Sequence, residues 1–217
     1  MPGRPLRIEV RPGVSITAVR VEPAGDAGWL FIYAPGAGSD VHDPFGAYLC
    51  DALAARGVTA VRFQFPYMEA GRRSPDRSEL LEATWRAVID AMRPDGGKLA
   101  VGGRSMGGRI ASMVLAQGVK ADALALFAYP LHPPGKPEQR RDAHLPSITA
   151  RTLFVSGTND AFGSPDELRA AASNVKLSPV HLLDGADHGF AVRKSSGRTK
   201  QDVFVEAADV LGGWLKV

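Results

Sequence analysis

At 217 residues, with 45% hydrophobic and 23% charged side chains, the chain is long enough for one domain, 1–217, with a large core, and disordered, collagen-like and coiled-coil classes are excluded. Net charge is +3, and the Lys and Arg residues are dispersed among nearly as many Asp and Glu, which argues against nucleic acid as a partner. Cys50 is the single cysteine, so neither an intrachain disulfide nor a cysteine-based metal cluster is available, and the absence of an apolar leader in Met1 to Arg7 or of any membrane-length apolar stretch makes a cytoplasmic protein without a membrane partner the expectation.

In chain order, Leu6 to Val10 and Ser15 to Glu22, parted by Arg11-Pro12-Gly13, read as a hairpin at a sheet edge. Trp29 to Tyr33 is a continuous apolar run, the pattern of a strand covered on both faces, and a glycine-rich loop follows it. Asp43-Pro44 marks a helix start, with Asp43 as cap, and Gly57 marks its end. Thr59 to Phe65 is the next strand. Tyr67 to Arg73 reads as a loop, and Ser74-Pro75 opens a second amphipathic helix carrying Leu81, Trp85, Val88, Ile89 and Met92. Lys98 to Gly102 is a strand, followed by a helix that runs to Gly118. Ala123 to Ala128, Thr152 to Ser156 and Val180 to Leu183 are further strands, with helices at Asp166 to Ser173 and Gln201 to Leu215. Apolar runs alternating with amphipathic helices imply a mainly parallel sheet with helices on both faces, which binds ligands beyond the carboxyl ends of its strands.

Gly103, Ser105 and Gly107 fall at such a strand end with G-x-S-x-G spacing, which lets a backbone turn sharply and leave a hydroxyl at its apex. A serine hydroxyl is a poor nucleophile at neutral pH and needs a base, usually a histidine oriented by a carboxylate. Two later strands run into loops that carry these groups: Asp160 after Ser156, and His188 after Leu183. Asp187 is a competing acid, and Asp160 has an alternative role as the cap of the helix near Pro165. The oxyanion of acyl transfer needs backbone N–H donors. Met106 follows the serine and supplies one; the loop Ala34 to Ser39 supplies the other, and since Pro35 has no N–H, Ala37 is the candidate.

These residues resemble the α/β-hydrolase superfamily, in particular its small lidless bacterial predicted hydrolases and dienelactone-hydrolase-like proteins. The resemblance extends over nearly the whole chain and rests also on the runs Phe65 to Arg73, Gly102 to Arg109 and Tyr129 to Lys136. It implies an eight-stranded sheet with the second strand antiparallel, a Ser105-His188-Asp160 triad, and no metal or organic cofactor. Two departures stand out: Pro35 replaces the histidine of a common His-Gly-Ala-Gly loop, and the nucleophile is Ser105 where true dienelactone hydrolases use cysteine.

Only the short Leu131 to Ala150 segment separates two strands at the position where lipases insert a lid, so an open cleft is expected. Tyr67, Met68, Met106, Leu131, Phe162 and Phe190 are its candidate lining, suited to a small-molecule acyl substrate, while Arg104 is placed either for a substrate anion or for a structural carboxylate. A serine hydrolase of carboxylic esters or thioesters is the leading expectation. The alternative is a non-catalytic interaction module that retains the fold.

Overall fold

The computed structural model describes residues 3–25, 27–94 and 96–216. The elements, in order, are β1 (Arg4–Arg11), β2 (Val14–Val21), β3 (Trp29–Ala34), α1 (Pro44–Ala54), β4 (Val58–Phe63), α2 (Pro66–Glu69), α3 (Ser78–Met92), β5 (Lys98–Arg104), α4 (Met106–Ala116), β6 (Ala123–Phe127), β7 (Arg151–Gly157), α5 (Pro165–Ala172), β8 (Val180–Leu183) and α6 (Lys200–Leu215). The eight strands form one sheet in the order β1-β2-β4-β3-β5-β6-β7-β8. β2 is antiparallel to both neighbours, and every pairing from β4 across to β8 is parallel.

The expected hairpin is therefore present at the sheet edge, where β1 turns Arg4, Arg7, Glu9 and Arg11 outward. Charged side chains on an edge discourage a further strand from pairing there. The apolar run in β3 is explained by burial on both faces. Leu30, Ile32 and Ala34 join the core beneath α3, α4 and α5, while Phe31 and Tyr33 join the core beneath α1 and α6. Trp85 and Ile110 fill the first core, and Phe45 and Phe204 fill the second.

Caps written in the sequence set the starts of α1, α5 and α6. Asp43 accepts the Gly46 N–H at 2.9 Å with Pro44 in the first turn, and Ser164 and Thr199 each form a reciprocal capping box with the residue three places on. One expectation fails here. The helix expected from Ser74-Pro75 starts at Ser78, and the loop expected at Tyr67 to Arg73 contains α2. Asp76 is the reason, because its carboxylate accepts the Tyr67 N–H at 2.9 Å and pairs with Arg72, which holds the chain extended through Arg77.

Between β6 and β7 the chain forms a 3-10 turn at Leu145–Ser147, with no helical lid among the described residues. No described helix is long and apolar enough to cross a membrane.

Candidate active site

β5 ends at Arg104 and α4 starts at Met106, so Ser105 alone makes the turn, with φ 50° and ψ −118°. A non-glycine residue with such a φ is strained and is held only by its surroundings. Here the Ser105 N–H donates to the Phe127 carbonyl at 2.8 Å, and the Ser105 carbonyl accepts the Arg109 N–H at 3.0 Å. The flanking glycines are required sterically. A Cβ on either Gly103 or Gly107 would collide with the carbonyl oxygen of Ala34. With both backbone groups bonded and no capping bond from its side chain, Ser105 has its hydroxyl available at the apex.

The His188 Nε2 lies 2.9 Å from Ser105 Oγ, and His188 Nδ1 lies 2.9 Å from each oxygen of Asp160. An ionised carboxylate only accepts, so Nδ1 carries the imidazole proton and Nε2 is left to accept from the serine. The Asp160 carboxylate also accepts from Ser156 Oγ at 3.1 Å and from the Phe162 N–H at 2.8 Å. Its side chain is 1% exposed and that of His188 is 23% exposed, so the acid is shielded while the base faces the cleft.

The competing assignments separate by geometry. Ser164, rather than Asp160, caps α5. Asp187 turns back into its own loop, where its Oδ1 accepts the N–H groups of Gly189 and Ala191 at 2.8 and 2.9 Å. Arg104 lies 3.3 Å from Asp43 Oδ1, and the other oxygen of Asp43 accepts the Tyr33 hydroxyl at 2.8 Å, so Arg104 has a structural carboxylate. Burial first, and then the Asp43 charge, hold the Tyr33 hydroxyl well above its ordinary range and keep it a donor.

In the loop after β3, the Gly38 N–H donates to Tyr67 Oη at 2.9 Å and the Ser39 N–H to the Gly36 carbonyl at 3.2 Å. Pro35 has no N–H. Gly36 and Ala37 are therefore the donors left to this loop, and a Cβ added to Gly36 would stand 3.7 Å from Ser105 Cβ. Ala37 is exposed.

The expected lining needs correction at three residues. Tyr67, Leu131 and Phe190 have 0% exposure, so no ligand reaches them in this conformation. Tyr67 and Leu131 belong to the core beneath α4, where Tyr67 braces the Gly38 loop. Phe190, with φ 62°, joins the core beneath α1 and α6, meets Phe45 at 4.9 Å between ring centroids and anchors the His188 loop. Met68 and Phe162 remain partly exposed, and the Phe162 ring stacks on His188 with centroids 4.0 Å apart. Met106 is buried at 8% exposure.

Ser156 was not apparent among the site residues, because no local signal links it to Asp160. The pairing of Asp43 with Arg104 is equally silent in sequence. A concavity of about 370 Å³ lined by Trp29, Met92 and Lys98 lies at the amino ends of β3 and β5, the far edge of the sheet from Ser105. It lacks the nucleophile and base, and strand polarity is the better guide to the site.

A model of the family described as alpha/beta hydrolase domain matches residues 27–216. In fold, the chain is similar to an alpha-beta serine hydrolase homologue from Coxiella burnetii, with a TM-score of 0.75 and 20% identity over 99% of this chain and 98% of that one. It is also similar to a lidless a/b serine hydrolase from Xanthomonas campestris, with a TM-score of 0.74 and 18% identity over 99% and 95% of the two chains. A dienelactone hydrolase from Anabaena variabilis gives a TM-score of 0.74 and 19% identity over 100% and 98%.

Proposed function

Since the chain belongs to the alpha/beta hydrolase domain family, we propose that it is a serine hydrolase cleaving a carboxylic ester or thioester of a small acyl substrate. The observation that carries this reading is the unbroken hydrogen-bond chain from Ser105 Oγ through His188 to Asp160 at 2.9 Å per step. Ser105 Oγ attacks the acyl carbonyl while His188 Nε2 takes its proton, and Asp160 stabilises the imidazolium through Nδ1–H. The tetrahedral oxyanion is met by the N–H groups of Met106 and Ala37, the first at the positive end of α4. Collapse expels the alcohol or thiol, which takes the proton held by His188. Water then attacks the acyl-Ser105 carbonyl with His188 again as base, and the acid leaves with Ser105 restored. Met68 and Phe162 contribute apolar walls to an open cleft.

A fluorophosphonate probe tests this directly, since it bonds only to an activated serine. Wild type is expected to label stoichiometrically and Ser105→Ala to remain unlabelled. Failure of folded wild type to label would overturn the hydrolase reading and favour a non-catalytic module.

A further inference from the structure

The loop that carries Ala37 closes as a β-turn over Gly36-Ala37-Gly38-Ser39, in which the Ser39 N–H donates to the Gly36 carbonyl at 3.2 Å. Gly38 has φ 75°, and Ala37 is not among the residues of positive φ. That combination defines a type II turn, whose third position needs glycine. The central peptide of such a turn, here between Ala37 and Gly38, is reversed in the type I form while the two ends keep their places. Glycine accepts either form, so the residues of the turn do not choose between them.

The N–H of that central peptide reaches outside the turn, where it donates to Tyr67 Oη at 2.9 Å. In the reversed form it would point away from the hydroxyl. Tyr67 is itself held at both ends. Its N–H donates to the Asp76 carboxylate at 2.9 Å, its carbonyl accepts the Arg72 N–H at 2.8 Å, and its ring, 0% exposed, lies 15° from the plane of Phe65. The same stretch of chain fixes the far end of the loop, since Gln64 Oε1 accepts the Val41 N–H at 3.2 Å and Arg62 Nε donates to the Val41 carbonyl at 2.8 Å. A hydroxyl on so confined a ring cannot follow a moving loop, and the loop must come to it.

Ala37 is therefore bracketed. On one side stands Gly36, where an added Cβ would lie 3.7 Å from Ser105 Cβ, and on the other Gly38, tied to Tyr67. Ala37 is exposed and carries only a methyl group, so its own side chain does little to fix it. An N–H that stabilises an oxyanion has to be in place before the charge forms, because a donor that must reorient gives back much of what it supplies.

We infer that Tyr67 is a positioning residue for the oxyanion: by accepting the Gly38 N–H, its hydroxyl locks the turn in the form that presents the Ala37 N–H to the developing charge. This rests on the hydrolase reading, in which Ala37 and Met106 are the donors. Buried as it is, Tyr67 touches no substrate, and its influence falls on the step at which the acyl oxygen becomes negative.

Turnover of p-nitrophenyl butyrate and its thiono analogue by wild type and Tyr67→Phe tests this, with fluorophosphonate labelling of each protein in parallel. Sulfur is a weaker hydrogen-bond acceptor than oxygen, so the thionoester draws less on the two donors. In Tyr67→Phe, kcat on the ester is expected to fall by about 10- to 100-fold with KM within about 3-fold of wild type, a part of the loss of about 10²–10³ that follows removal of a whole donor. The thionoester should lose much less, so that the ratio of ester to thionoester turnover drops by about tenfold, whereas damage to the triad would slow both alike and leave the ratio unchanged. The Gly38 amide of wild type should also resist hydrogen exchange by at least about tenfold although its residue is exposed. Exchange there at the rate of a free peptide would overturn the lock whether or not the variant folds. Folded Tyr67→Phe that labels and keeps the wild-type ratio, or Tyr67→Phe that cannot fold, would make the hydroxyl a structural group and leave the hydrolase reading standing. Folded wild type that does not label removes both.

Discussion

The Phe162 ring lies over the His188 imidazole with centroids 4.0 Å apart and planes 27° apart, while the Phe162 N–H binds the same Asp160 carboxylate that holds His188 Nδ1. One residue therefore fixes the acid through its backbone and the base through its side chain. Offset stacking of this kind is worth about 0.5–1.5 kcal/mol. Phe162→Ala keeps the backbone bond and frees the imidazole, so kcat on a short-chain ester is expected to fall by about 3- to 10-fold, the same energy expressed as a rate. Phe162→Tyr, which retains the ring, should lose little. Equal kcat for Phe162→Ala and wild type would show that His188 needs no such support.

The two acids near His188 should respond differently. Asp160→Asn removes the acceptor of Nδ1–H and favours the wrong imidazole tautomer, with an expected loss in kcat on the order of 10⁴. Asp187→Asn weakens the acceptor of the Gly189 and Ala191 N–H groups, a turn stabilisation of about 1 kcal/mol. Its expected signature is a lower Tm with kcat within about an order of magnitude of wild type. The reverse pattern would transfer the proposed orienting role to Asp187.

Strain at the elbow predicts an opposition between stability and activity. At φ 50° Ser105 carries a penalty that glycine does not. Ser105→Gly should therefore be more stable than Ser105→Ala by about 1 kcal/mol, both being inactive. Denaturant melts of the two inactive variants make the comparison without interference from catalysis. At the neighbouring turn, Gly107→Ala forces a backbone shift against Ala34 and should destabilise by several kcal/mol, on the scale of the larger single-residue effects.

Acid should weaken the molecule at the α5 cap. The Ser164 N–H, and then the Ser164 hydroxyl, draw the Glu167 carboxyl from an ordinary 4.5 down to about 2. A carboxyl depressed on folding stabilises the native state above its unfolded value, and that contribution disappears as pH falls from 4.5 towards 2. Glu167→Gln is thus expected to be less stable than wild type at neutral pH, with the gap closing across this acid window. Melting temperatures measured from pH 2 to 7 provide the comparison, and parallel curves for the two proteins would contradict it.

The sequence revealed the parallel sheet because apolar runs as dense as β3 occur where both faces are covered, and it revealed the order of Ser105, Asp160 and His188 because each follows a strand. Local chemistry sufficed there. It did not suffice for Tyr67, Leu131 and Phe190, since an apolar residue beyond a strand end can turn toward the cleft or the core with the same spacing. For Phe190, a backbone φ of 62° brings the ring inward against Phe45. The helix expected at Ser74 was displaced by Asp76, whose partners Tyr67 and Arg72 lie on the preceding turn. Arg104 shows the same dependence on distance, because only folding brings Asp43 to it.

From Phe127 to Arg151 the chain builds no helical lid at the sheet edge that carries Ser105. An acyl-enzyme formed there would meet bulk solvent without first waiting for a gate to move, and its fate would be set by partition among whatever nucleophiles arrive at the mouth. Methanol or hydroxylamine added to the medium would then intercept the acyl group in proportion to concentration and reactivity, giving an enzyme whose product ratio reports on its surroundings.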